Sequence, residues 1–158
     1  MKFPCTHRLV PALAMALVFS LSPPVRGDAY APIWLVPEDI RLDVDPSRPG
    51  GMSLATLAGD MAKPGLYAVR IRMPSQLRVL PHIHPEDRMV VVLSGTLHVG
   101  FGERFEPERM RAMTPGSFFV EPALAPHFAW VRGEDVIVQV SGIGPSGTVY
   151  LDSAAPGH

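Results

Sequence analysis

A single cysteine, Cys5, lies ahead of the first apolar run, and it leaves the chain unable to form an intramolecular disulfide. Stability must therefore come from packing. Charge is sparse as well: 14 Lys and Arg stand against 15 Asp and Glu, a formal net charge of −1. That balance excludes the basic surface a nucleic-acid binder needs. No apolar run approaches the roughly 20 residues of a membrane span, so no stable membrane insertion is expected. Helical periodicity of useful length and internal repeats are missing too. What the sequence has in quantity is 18 prolines and 14 glycines, which punctuate short apolar runs.

Met1 to Gly27 reads as a secretory signal peptide: Lys2 and Arg8 supply a positive start, Leu9 to Leu21 an apolar segment, and Val25 and Gly27 small residues before a cut. Cleavage removes Lys2, Arg8, Arg26 and Cys5, leaving 11 basic against 15 acidic residues and a net charge of about −4. The expected location is periplasmic or secreted. The remaining chain, about 131 residues, suits one domain with one core. Residues 28–64 are expected to form an N-terminal arm and first strand, 65–151 a barrel, and 152–158, including His158, a disordered tail. The arm is rich in Pro and acid, with Ile33, Trp34, Leu35 and Val36 as its apolar cluster. Docking of Trp34 over a barrel edge or onto a second subunit makes a homodimer the expected assembly.

Strands are expected at Met52–Leu57, Leu66–Met73, Met89–Leu93, Thr96–Phe101, Asp135–Ser141 and, as a short closing strand, Thr148–Leu151. In the second of these Tyr67, Val69, Ile71 and Met73 share one face and Arg70 and Arg72 the other. Gly102 to Ala112 carries Glu103, Arg104, Glu106, Glu108, Arg109 and Arg111 and is expected to be a surface loop with at most a turn of helix. Many short strands between Gly and Pro turns indicate an all-β barrel or sandwich.

Two stretches carry chemistry. In Leu80 to Gly95, His82 and His84 lie two apart, so on a strand they face the same way while Ile83 faces away. In Gly116 to Trp130, a glycine turn, a short strand, Pro122 and a four-residue loop lead to His127. Together the stretches resemble the paired motifs of the cupin superfamily, with His82, His84, Gly95, Gly116, Pro122 and His127 in register. Three positions depart from the pattern. Gln76 replaces a Gly, Val131 an Asn, and Arg88 stands where the metal-binding Glu belongs. The resemblance covers roughly Leu66 to Ser141 and implies a double-stranded β-helix, or jelly roll.

The resemblance also implies one divalent metal ion, Fe, Mn, Zn, Ni or Cu, held by His82, His84 and His127 with open coordination positions. Glu86, Glu121 and His98 are the candidate further ligands or supporting groups, although Glu86 on its turn is more simply solvated and His98 more simply an exposed strand residue. Arg88 would repel a dication, so it either turns outward or awaits an anionic substrate. Phe118, Phe128 and Trp130 are candidates for lining a substrate pocket, against the plainer reading that they are core. The expected function is a metal-dependent enzyme on a small molecule, with dioxygenase chemistry foremost because some barrels similar to this one use iron without a carboxylate. A non-catalytic metal or ligand-binding module is the alternative.

Overall fold

The computed structural model describes residues 31–44 and 49–151. The predicted signal segment, 1–27, and tail, 152–158, lie outside the described residues. Along the chain run β1 (Asp43–Val44), β2 (Ser53–Ala58), β3 (Gly65–Met73), β4 (Arg78–Ile83), β5 (Arg88–Ser94), β6 (Leu97–Phe101), β7 (Arg111–Met113), β8 (Phe118–Glu121), β9 (His127–Val131), β10 (Val136–Gly144) and β11 (Val149–Tyr150). They form two antiparallel sheets, ordered β1-β2-β3-β10-β5-β8 and β11-β4-β9-β6-β7. This is the expected all-β jelly roll. Among the described residues no helix is long and apolar enough to cross a membrane.

Alternation builds the core. On β3, Tyr67, Val69 and Met73 are buried while Arg70 and Arg72 face out, as their order predicts. Val90, Val92, Val138 and Val140 meet them from the first sheet, and Val79, Leu97, Val99, Ala129 and Val131 from the second. Val131, the residue in place of the motif's Asn, is fully buried in this core. Gln76, in place of the motif's first Gly, keeps the glycine-like backbone at φ +65°. A left-handed non-glycine residue costs about 1–2 kcal/mol, and here its Nε2 donates to the carbonyl of Arg132 at 2.7 Å, tying the turn before β4 to the end of β9. The departure is in side chain, not in conformation.

The Gly102 to Ala112 segment is the expected loop with one helical turn, Pro107–Arg109, and it ends in β7, which is too short to leave an alternation in the sequence. Phe105 from this loop packs on Phe128 (ring centroids 5.3 Å apart) and on Trp130 (6.1 Å), forming a second apolar cluster on the outer face of the second sheet. Gly100 makes room for it. A Cβ at that position would stand 2.3 Å from Cζ of Phe128, which is fully buried. Gly100→Ala should therefore destabilise the fold by about 1–3 kcal/mol through overpacking. Urea unfolding measures this, and an unchanged midpoint would show that the Phe105 loop yields freely.

Trp34 is 89% exposed and does not dock on the barrel of its own chain, whereas Leu35 borders a surface pocket with Leu54 and Leu57 of β2.

Candidate metal centre

His82 sits near the end of β4 and pairs directly across from His127, which opens β9; His84 follows immediately after β4. The three are 6%, 3% and 2% exposed, and one potential ligand atom from each lies within 4.8 Å of the others. The expected pairing of His82 with His84 on one face, and the convergence of His127, are thus present in the fold.

Their outer nitrogens fix their protons. Nδ1 of His82 lies 2.8 Å from the carbonyl of Leu80, Nδ1 of His84 2.6 Å from that of Gly147, and Nδ1 of His127 2.9 Å from that of Ala125. A carbonyl can only accept, so each Nδ1 carries a proton and each ring turns its Nε2 inward. Burial, with the neighbouring His127, pushes the His82 pKa down to about 4; burial, with Arg88 beside it, pushes that of His84 down to about 3. Both rings are neutral at neutral pH. Nε2 of His127 is buried with no hydrogen-bond partner. A buried polar atom without a partner is costly, and three converging imidazoles are a donor set that divalent transition metals take. The residues fit a metal. Bonds of about 2.1 Å place neighbouring ligand nitrogens roughly 3 Å apart, so the rings would close inward on binding.

Arg88 faces the cavity. It opens β5 at 8% exposure, with Nε 2.9 Å from Oε1 of Glu86 and Nη1 2.9 Å from Nε2 of His84; Nη2 donates to Oγ of Ser146 at 2.5 Å and to the carbonyl of Gly147 at 3.3 Å. Glu86 is therefore not solvated on its turn. It is 9% exposed, pairs with Arg88, and accepts from the Tyr67 hydroxyl at 2.8 Å. Burial would raise its pKa, but hydrogen bonds from Ser146, Tyr67 and Arg88 outweigh that and hold it below the usual carboxylate range. Burial pushes the Tyr67 phenol up to about 12, so it stays protonated and donates. Gly142 lies between Tyr67 on β3 and Arg88 on β5, and a Cβ there would come within 2.7 Å of the phenol oxygen.

Glu121 ends β8 directly opposite Arg88. Its Oε2 lies 3.6 Å from Nε2 of His127 and 3.8 Å from Nε2 of His84. Burial raises its pKa, with His127 and Arg88 only partly offsetting this. The cavity these groups border, about 100 Å³, has otherwise apolar walls including Met52, Met73, Leu97 and Val138, with Thr148 and Tyr150 from the C-terminal segment at its rim.

Four sequence candidates lie elsewhere. His98 alternates with the inward Leu97 and Val99, so it faces out of the second sheet, opposite Trp130 and away from the three histidines. Phe128 is fully buried, but under Phe105 and outside the cavity, and Trp130 stacks between the guanidinium groups of Arg78 and Arg132, each 4.4 Å from its ring. Phe118 is 57% exposed on the outer face of β8. Parity along each strand is the physical reason: with His127 and Glu121 inward, Phe128, Trp130 and Phe118 must point the other way. The groups missed from sequence are Tyr67, Ser146, Gly147, Thr148 and Tyr150, whose contacts with the site come from distant strands and the C-terminal segment.

The same barrel occurs in solved structures. The polyketide cyclase RemF from Streptomyces resistomycificus superposes with a TM-score of 0.60 at 16% identity, covering 77% of this chain and 87% of that one. A sugar phosphate isomerase of the cupin superfamily from Silicibacter pomeroyi gives 0.58 at 20% identity, covering 75% and 82%. An RmlC-like cupin from Shewanella frigidimarina gives 0.56 at 19% identity, covering 72% and 91%. The chain has the cupin fold. No protein-family profile matches the sequence, and no curated protein matches it. The names of these neighbours span cyclisation and isomerisation, so the cupin barrel alone selects no reaction.

Proposed function

We propose that this is an exported cupin-fold protein that holds one divalent metal ion through His82, His84 and His127 and works as a metal-dependent enzyme on a small molecule, with dioxygenase-like chemistry the leading class. One observation carries the reading: three buried imidazoles bring one potential ligand atom each within 4.8 Å of the others, each ring is held by a backbone carbonyl at Nδ1, and Nε2 of His127 has no hydrogen-bond partner. A metal held by these three residues would supply Lewis-acid chemistry toward an oxygen-bearing substrate. The chain's own groups do the rest. Apolar walls border the three histidines and favour a small, partly apolar substrate. With Nε2 of His84 serving as a metal ligand, Nη1 of Arg88 would be free to donate to an anionic substrate, while Glu86, Ser146 and Gly147 hold the rest of the guanidinium in place.

The second reading, a non-catalytic binding module, is favoured by that same Arg88 contact, because a guanidinium on His84 competes with a metal and suits an anion-binding site. Export rests on the segment Met1 to Gly27. Pairing with a second copy is supported by the exposed Trp34 and by the apolar outer face of β5 and the edge strand β8, where Met89, Leu93, Phe118 and Val120 are each at least 40% exposed.

One native preparation tests these readings. Elemental analysis should find about one transition metal per chain, and oxygen uptake should rise with some member of a panel of small carboxylates. Metal without turnover of any substrate would select the binding module; no metal after native purification and reloading would end the metal reading. Intact mass should begin near Asp28, and light scattering should give twice that mass. Retention of the first 27 residues or a monomer at micromolar concentration would remove export or pairing respectively.

A further inference from the structure

We infer that Glu121 is the fourth, carboxylate ligand of this centre, delivered from β8 in place of the carboxylate that Arg88 displaces from β5. The inference rests on the three-histidine reading above.

Antiparallel register makes the exchange possible. Arg88 and Glu121 are direct cross-strand partners, and such partners have Cβ atoms about 4.5–5.5 Å apart on the same face of the sheet. A carboxylate arriving from either strand therefore reaches the same part of the cavity. The cation takes one position and the acid the other.

The contacts around Glu121 then require something positive. Its Oε2 faces Nε2 of His127 at 3.6 Å and Nε2 of His84 at 3.8 Å, while Nδ1 of each ring bonds a backbone carbonyl. Neither separation is a hydrogen bond, so the carboxylate lies beside both ring nitrogens and gains no direct bond from either. Arg88 does not resolve this, since its donors go to Glu86, His84, Ser146 and Gly147. Arg88 makes its direct ion pair with Glu86, which leaves Glu121 without a hydrogen-bonded cation of its own. A dication satisfies the carboxylate and the orphaned His127 nitrogen at once. A proton held by Glu121 is the competing resolution, and metal titration separates the two.

The experiment compares the full-length wild type with Glu121→Gln and Glu121→Ala, using Mn(II), Zn(II) and Co(II) as probes, with circular dichroism melts confirming that the variants are folded. Glu121→Gln keeps the shape and removes the charge. Both variants should lose about 10- to 100-fold in Mn(II) affinity and less in Zn(II) affinity, because an oxygen ligand matters more to the harder ion. The Co(II) visible spectrum should also change, which a residue that merely positions the histidines would not cause. Wild-type affinity for Mn(II) and an unchanged Co(II) spectrum in the folded Glu121→Gln protein would overturn the assignment. If instead the wild type binds none of the three ions, the three-histidine reading itself fails. If either variant does not fold, the other supplies the comparison; if neither folds, Glu121 is a structural residue and the ligand assignment is wrong.

Discussion

Replacing Arg88 with methionine should destabilise the fold by about 3–5 kcal/mol, the usual cost of removing one partner of a buried ion pair. Arg88 and Glu86 are 8% and 9% exposed and 2.9 Å apart, and the methionine would leave the Glu86 carboxylate buried with the phenol of Tyr67 as its donor. At the size of this domain that corresponds to a fall in Tm on the order of 10 °C. Glu86→Gln in the same chain should return most of the loss, because the double variant buries no unpaired charge. Thermal melts of the two variants settle this, and a single variant as stable as the wild type would mean that Glu86 reaches water after all. The pair also bears on metal. Arg88→Met removes the donor that occupies Nε2 of His84, so metal affinity should rise even as the metal-free fold weakens.

Arg88 also marks where sequence reasoning stopped. Two-residue spacing placed His82 and His84 on one face because strand geometry is local, whereas His127 came from the resemblance to the cupin motifs and not from strand geometry. The alternation of Tyr67, Val69 and Met73 likewise located one wall of the core. Register is not local. Nothing within either strand announces that residue 88 lies opposite residue 121, so the sequence showed a cation where an acid was due and left Glu121 as one candidate among three. Glu86 was misread for a related reason: on its own segment it is a turn residue, and only Tyr67, nineteen residues earlier, and Arg88 make it an interior one. For Phe128, Trp130 and His98 the signal was available. Parity counted from His127, and from Leu97 and Val99, places all three on the outside, where the Phe105 loop covers the first two. Strands as short as β1 and β7 carry no periodicity to read.

His127→Ala should abolish the stabilisation that added metal gives the wild type. A ligand that binds only the folded state stabilises it by about 2.7 kcal/mol at a hundredfold excess over its Kd. In the wild type, Mn(II) or Zn(II) at such an excess should therefore raise Tm by several degrees. Without metal, the substitution itself should cost little beyond the hydrogen bond from Nδ1 to the carbonyl of Ala125, about 1 kcal/mol, because β9 remains held between β4 and β6. The variant should thus melt slightly below the metal-free wild type and at the same temperature with or without metal. His82→Ala should behave in the same way, since it faces His127 across the β4–β9 pair with ring centroids 4.3 Å apart. His98→Ala is the control: on the outer face of the second sheet, it should retain the full metal response. A persistent rise in Tm for His127→Ala would place the metal elsewhere, whereas loss of the response in His98→Ala would mean that the effect travels through the sheet and does not report the ligands.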